Sequence, residues 1–213
     1  SVPLCMRRVA AILAAAAASH GRAGVIYDTT SSATLIDVDV STSPTEAKQA
    51  TLFHTTASEF VVTEASLQLR KDVTDPATGG LNWLIYTDTG GQPDLPISGG
   101  ILFTLDTSTL SGAYATVSTG SLSVTLSPST DYWLVLNGES MDGGIVQVQE
   151  ALNPSGVAAP FKAMTYRLGA WTGHSNQAMV GTITAVPEPS VWVMAIAGLG
   201  LAGVSMRRGR KQA

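Results

Sequence analysis

The sequence predicts an all-β domain, a jelly-roll-like antiparallel β-sandwich, flanked by an N-terminal signal helix and a single C-terminal transmembrane helix. Three observations support this prediction. Two dense apolar runs lie near the ends of the chain, over residues 9–18 and 191–204. The segment between them is rich in Thr, Ser, Gly and Val. It also alternates short runs of strand-forming residues with turn signals, and it shows no helical periodicity.

The N-terminal segment has the three parts of a secretory signal peptide. Arg7 and Arg8 form a basic region, and residues 9–18 form a short apolar region behind it. Gly21 and Ala23 are small residues at the spacing that signal peptidase requires on the amino side of its cleavage site. The segment therefore predicts export, with signal peptidase as a partner.

Cleavage is predicted after Ala23, with Ala18 and Gly21 as alternative sites. Met6 is the expected start of the signal peptide, and residues 1–23 are assigned to this segment as a whole. The alternative interpretation of the apolar run is a buried, alanine-rich core helix.

The C-terminal segment has the pattern of a membrane anchor. Residues 190–206 are a run of 17 mostly apolar residues. As a helix this run is about 25 Å long, somewhat shorter than a hydrocarbon core of about 30 Å, so it spans with modest thinning of the bilayer. A basic cluster follows, which favours the cytoplasmic side: Arg207, Arg208, Arg210 and Lys211. The domain is therefore expected outside the inner membrane.

A Pro-Glu-Pro tripeptide precedes the apolar run. Pro187 and Pro189 flank Glu188, and prolines continue neither a helix nor a central strand. The tripeptide, the short apolar run and the basic end together resemble the PEP-CTERM sorting tail, over residues 186–211. A plain proline hinge before an anchor is the alternative.

This resemblance implies a sorting role for the tail, assigned to residues 186–213. In that family the tail is recognised by exosortase, a transpeptidase-like membrane enzyme of Gram-negative bacteria that make extracellular polysaccharide, often in biofilms. It implies that Pro187, Glu188 and Pro189 are substrate residues of that enzyme. It also implies transient anchoring in the inner membrane with a periplasmic domain, and then a place on the cell surface or in the extracellular matrix.

The middle domain, residues 24–185, is predicted to hold about ten strands. Residues 35–40 alternate apolar and acidic side chains, as a half-buried strand does. Breakers such as residues 89–93, 98–100 and 127–128 separate the remaining runs. Those runs are residues 50–54, 60–70, 81–87, 100–105, 114–126, 131–137, 145–150, 163–168 and 179–185.

Two stretches of the domain resemble the choice-of-anchor extracellular domains, type R in particular. Residues 81–93 read as a strand that runs into an Asp/Gly/Pro turn, and residues 127–136 read as a turn that leads into an aromatic strand, with Phe53 upstream. The resemblance covers residues 50–136. It implies a β-sandwich with interchangeable anchoring tails, and the family has no established catalytic function to carry over.

Charge and cysteine content exclude several classes of function. Residues 24–186 contain five basic and fifteen acidic residues, a net charge of −10. Such a domain repels phosphate backbones, so nucleic-acid binding is excluded. Cys5 is the only cysteine of the chain and precedes the apolar run, where it fits no lipoprotein signal. The domain therefore has neither a disulfide nor a thiolate nucleophile.

The candidate catalytic groups are weak, and the domain is expected to be non-enzymatic. Residues 173–177, Gly-His-Ser-Asn-Gln, begin like a nucleophile elbow but lack its final glycine and the helix that must follow. His54 and His174 are 120 positions apart and give little support for a histidine metal site. Fifteen acids make a glycosidase pair available by chance. A secreted hydrolase is the least favoured alternative.

No cofactor or metal is predicted, and calcium is the alternative, because turn carboxylates are among its usual ligands. The residues concerned are Asp72, Asp75, Asp88 and Asp94. Solvated turn aspartates are the favoured interpretation.

The leading functional prediction is a structural or adhesive protein of the surface or matrix. A carbohydrate-binding module for extracellular polysaccharide is the alternative. Trp171, in a glycine-flanked segment, is its best exposed candidate residue. Trp83 and Trp133 are expected in the core, since aromatic side chains bury large apolar areas.

Overall fold

The computed structural model describes residues 24–31, 34–41, 48–55, 60–154 and 162–187. Within these ranges the chain forms fifteen strands and one short 3₁₀ turn, Thr107–Thr109. The strands are β1 Gly24–Asp28, β2 Thr34–Ser41, β3 Lys48–His54, β4 Phe60–Lys71, β5 Thr78–Thr89, β6 Gln92–Asp106, β7 Ala115–Ser118, β8 Val124–Leu126, β9 Asp131–Asn137, β10 Met141–Gly143, β11 Ile145–Leu152, β12 Lys162–Arg167, β13 Ala170–Ser175, β14 Gln177–Met179 and β15 Gly181–Pro187.

These strands form two antiparallel sheets. The first has the order β1-β15-β4-β11-β14, with β2 paired to β11 and with β7 and β8 paired to β4. The second has the order β10-β5-β9-β3-β12-β13, with β6 paired to β5. Four pairs are nested along the chain: β1 with β15, β3 with β12, β4 with β11, and β5 with β9. The predicted all-β fold with two antiparallel sheets, a β-sandwich, is confirmed.

The core lies between the sheets, and alternation along the strands builds it. On β9, Tyr132, Leu134 and Leu136 join the main core, while Trp133 and Val135 point to the opposite face of the sheet. That second face carries its own small apolar cluster, which the β5–β6 hairpin covers in part. A single strand thus serves two apolar clusters, and we call the second one the outer cluster.

Several predicted strand boundaries were wrong, two of them for clear local reasons. Residues 114–126 were predicted as one strand, but β7 and β8 are separate segments on β4, with Gly120 at a φ of +72° between them. Residues 98–100 were predicted as a breaker, yet they lie inside β6. The register between β5 and β6 shifts three times, so bulges absorb the extra residues without ending the strand.

The two predicted end helices lie outside the described residues: the signal helix in residues 1–23 and the transmembrane helix at residues 190–206. Among the residues that the structure describes, none forms a helix with the length and apolarity needed to cross a bilayer.

Candidate functional site

A cleft of about 420 Å³ opens between the two sheets. β2, β11 and β14 of the first sheet line one side, and β3, β12 and β13 of the second sheet line the other. Ile36 and Val38 of β2 give this cleft an apolar wall. The opposite side is polar, with Thr165, Arg167, Thr172 and His174.

A buried polar pair lies in this cleft. The Gln49 side-chain amide on β3 donates a hydrogen bond of 2.7 Å to Oε1 of Glu150 on β11, and both residues are fully buried. Both lie at strand positions that point between the sheets, and Thr51 and Val148 occupy the neighbouring inward positions of the same strands. The pair therefore joins the two sheets where an apolar contact would be expected.

This pair has hydrogen-bonding capacity left over. Oε1 of Gln49 and Oε2 of Glu150 are buried and have no hydrogen-bond partner among the described residues. Buried polar atoms in native proteins are nearly always satisfied, so each exception needs an explanation. Both residues are among those that line the cleft.

Burial also sets the protonation of Glu150. Loss of hydration raises the pKa of this carboxyl from its ordinary value of 4.5 to about 7, and the hydrogen bond from Gln49 opposes the rise in part. Near neutral pH, Glu150 is therefore divided between the neutral acid, which donates and accepts hydrogen bonds, and the carboxylate, which only accepts.

His174 also lines the cleft, with Nε2 at 3.5 Å from Oγ1 of Thr165. The neighbouring Ser175 lies at the next position of β13, so its side chain points to the other face of the sheet. The sequence Gly-His-Ser therefore forms part of a strand, and the strand geometry separates the histidine from the serine.

Trp171 lies on the outer cluster's side of the second sheet. It is half-buried and directly opposite Tyr166 of β12, with ring centroids 5.2 Å apart and planes at 61°. The Lys48 ammonium lies 5.1 Å from the Tyr166 ring centroid. Trp171 also packs against the buried outer cluster of Ala50, Leu52, Trp133, Val135 and Met164. Part of its surface is thus already used for packing.

The other two tryptophans of the described residues are core residues, as predicted. Trp83 and Trp133 have no exposed area. Trp83 meets Phe103 edge-to-face with centroids 5.9 Å apart. Trp133 faces the outer cluster instead, and its N–H is hydrogen-bonded to Asp88.

Three of the four turn aspartates, Asp72, Asp88 and Asp94, have protein donors as partners. Oδ1 of Asp72 accepts hydrogen bonds from the Thr74 hydroxyl and from the backbone N–H groups of Thr74 and Asp75, and these bonds hold the pKa of this exposed carboxyl below its ordinary value. Asp94 accepts from the Thr89 hydroxyl at 3.0 Å. No group of three or more His, Cys, Asp or Glu side chains suited to a metal occurs among the described residues.

The first and last strands of the sandwich bring the two chain ends of the domain together. Gly24, at the start of β1, is the register partner of Ala185 on β15. β15 then ends at Pro187, the first residue of the Pro-Glu-Pro tripeptide. Ala23, Glu188, Pro189 and the basic residues from Arg207 to Lys211 lie outside the described residues.

Comparison with known families identifies the tail. Residues 185–211 match the PEP-CTERM protein-sorting motif. The predicted resemblance of the tail is therefore confirmed, and the motif indicates an exported chain of the kind that exosortase sorts. The match begins at Ala185, the partner of Gly24 in the β1–β15 pair.

No curated protein matches the chain. The resemblance of residues 50–136 to the choice-of-anchor domains stays a prediction.

The cleft was not predicted from the sequence, although the pattern of β11 singles out Glu150. In β11 the inward positions read Val146, Val148 and Glu150. An acidic residue at an inward position of an otherwise apolar series indicates a buried, functional or paired carboxyl. Its partner, Gln49, is 101 positions away in the sequence, and no local pattern connects the two.

Proposed function

We propose that this chain is a cell-surface or extracellular-matrix protein, placed there by exosortase acting on residues 185–211. The match of these residues to the sorting motif is the observation that supports this proposal. In this account signal peptidase cleaves after Ala23 and the apolar run holds the chain in the inner membrane of a Gram-negative bacterium. The basic residues stay on the cytoplasmic side, and exosortase processes the tail near Pro187, Glu188 and Pro189.

The β1–β15 pair is compatible with both cleavages. The two predicted processing segments leave the sandwich from neighbouring ends of paired strands, at Gly24 and Ala185. Removing both segments leaves this strand pair and the core beneath it, including Ile26, Tyr27 and Ile183, in place. A processed domain therefore needs no refolding.

The sandwich itself is proposed as a non-enzymatic structural or adhesive module. Its four nested antiparallel pairs follow the pairing pattern of a jelly roll, a fold common in capsid and lectin domains.

Deletion of the residues after Val186 tests the sorting proposal. In a host with an exosortase-like enzyme, the truncated chain should collect in the periplasm or medium, with its C-terminus unprocessed. The matched control lacks only Gln212 and Ala213, which lie beyond the matched residues, and should behave as the intact chain does. An unchanged location and mass pattern of the truncated chain would contradict the proposal.

Carbohydrate binding through exposed aromatic residues is the second candidate. The Trp171–Tyr166 pair gives an aromatic edge to the outer face of the second sheet. Affinity electrophoresis in the producer's own polysaccharide tests it. The candidate predicts retardation that Trp171→Ala abolishes, and retardation that this variant leaves unchanged would count against it.

A further inference from the structure

We propose that the cleft between the sheets binds a hydroxyl-rich ligand of one or two sugar residues, with Gln49 and Glu150 as its principal hydrogen-bonding groups. The cleft lies on the inner side of the second sheet, opposite the face that carries Trp171. The inference goes beyond the sorting of the chain and does not depend on how the tail is processed.

The unpaired atoms of the buried pair indicate the ligand. Oε1 of Gln49 is an acceptor without a donor, and Oε2 of Glu150 has no partner in either protonation state among the described residues. A purely structural bridge between sheets would use the remaining atoms as well, because a buried polar atom left unpaired is costly. Both residues are among those that line the cleft, which contains space for a small molecule.

Hydroxyl groups fit this pair better than ions or apolar groups do. A hydroxyl donates to Gln49 and accepts from a protonated Glu150, and it donates to Glu150 once that acid is ionised. A ligand carboxylate or phosphate at the same place is repelled by the ionised form. An apolar ligand leaves both atoms unpaired. A molecule with adjacent hydroxyls satisfies both atoms at once.

The rest of the cleft agrees with a sugar. Its volume of about 420 Å³ lies at the small end of the range for ligand pockets, about 300–1,000 Å³. Ile36 and Val38 offer an apolar wall for the C–H face of a sugar ring. Thr165 and Thr172 offer hydroxyls on the opposite side.

Charged and titratable groups near Glu150 come from three other strands. Arg167 of β12 and His174 of β13 line the same cleft, and the Tyr27 hydroxyl of β1 interacts electrostatically with Glu150. Arg167 provides a cation for an acidic substituent on the ligand, so neutral and acidic sugars are separate arms of the test.

The experiment is ligand-observed saturation-transfer NMR on the full-length chain. The chain is kept in a sulfobetaine detergent, which has no sugar headgroup. The probes are glucose, galactose, mannose, N-acetylglucosamine and glucuronate, with butyrate as the non-sugar control. We expect saturation transfer to at least one sugar and none to butyrate. Stronger saturation transfer to glucuronate than to glucose would indicate that Arg167 binds an acidic substituent of the sugar.

Two variants test the location of binding from different directions. Thr172→Trp fills the cleft from an exposed position without touching the buried pair, and Glu150→Met removes the carboxyl. We expect each to weaken binding by about tenfold or more. Near-ultraviolet circular dichroism confirms that each variant is folded. If Glu150→Met does not fold, Thr172→Trp decides alone.

Each variant has a matched control, one on the same strand and one at a residue of the same type. Ser175→Trp adds the same bulk to β13 on its other face, and Glu64→Met removes an exposed glutamate. Both should bind as the unmodified chain does. The proposal is overturned if no sugar binds, if Thr172→Trp binds normally, or if Trp171→Ala alone abolishes binding, which would place the sugar on the outer face.

Discussion

The indole N–H of Trp133 donates a hydrogen bond of 2.7 Å to Oδ1 of Asp88, which joins a fully buried ring to the end of the β5–β6 hairpin. The other carboxylate oxygen of Asp88 accepts from the backbone N–H of Gly91 at 3.1 Å. From the other side, the Lys162 ammonium donates to the Gly91 carbonyl and lies 5.6 Å from the Trp133 ring. The hydrogen bonds of Asp88 and Lys162 therefore hold the hairpin tip over the outer cluster.

Asp88→Ala should destabilise the domain by about 1–3 kcal/mol, because it leaves the buried indole N–H of Trp133 without its acceptor. Urea unfolding of the full-length chain, followed by tryptophan fluorescence, measures the loss. Asp94→Ala, on the same hairpin, removes only a hydrogen bond from the exposed Thr89 and should cost less than about 0.5 kcal/mol. Equal losses in the two variants would contradict a special role for Asp88.

The stability of the domain should fall between pH 5 and pH 8 because of Glu150. Its pKa is raised to about 7 in the folded protein from an ordinary value of 4.5, so the folded state binds the proton more tightly than the unfolded state does. The stabilisation that Glu150 contributes is fully present below about pH 4.5 and is lost as the pH rises through 7. This loss lowers the free energy of unfolding by an amount on the order of 3 kcal/mol. Urea titrations at several pH values measure it.

Glu150→Gln should remove most of this slope, since a glutamine does not titrate. Glu64→Gln, at an exposed glutamate, is the control and should keep the slope of the unmodified chain. A slope that survives Glu150→Gln would assign the pH dependence to other groups.

Gly181→Ala should destabilise the domain far more than Gly143→Ala does. A Cβ at Gly181 would lie 2.0 Å from the Ser66 carbonyl oxygen and 2.8 Å from a Leu67 methyl group, so β15 and β4 would have to separate. We expect a loss of about 3 kcal/mol or more. At Gly143 a Cβ meets nothing within 4 Å, and Gly143→Ala should change stability by about 0.5 kcal/mol or less. Similar melting temperatures for the two variants would contradict the close packing.

The sequence predicted the strands best where the alternation of apolar and polar residues and the turn-forming residues indicated the same boundaries. β9 begins and ends where it was predicted, at Asp131–Asn137, because a turn of Ser, Pro and Thr at residues 127–130 precedes a run of strand formers. No strand was predicted over β13, where Gly169 and Gly173 flank Trp171, but pairing along the whole of β12 makes this segment a strand. Tertiary pairing here overrides a weak local preference.

The candidate sites divide in the same way. The sorting tail is a contiguous segment, so its residue order was enough to identify it. The cleft depends on Gln49 and Glu150, which come from strands of different sheets and meet only in the folded domain. The local sequence predicts that each of the two residues points inward, but it does not predict that they contact each other.

The most direct test of the central claim is the intact mass of the native protein, purified from cells with and without the exosortase-like enzyme. We expect a mature chain that starts at Gly24 and ends near Pro187, with the C-terminal processing lost when the enzyme is absent. A C-terminus still at Ala213 in both strains would contradict it and would leave a β-sandwich that keeps its tail.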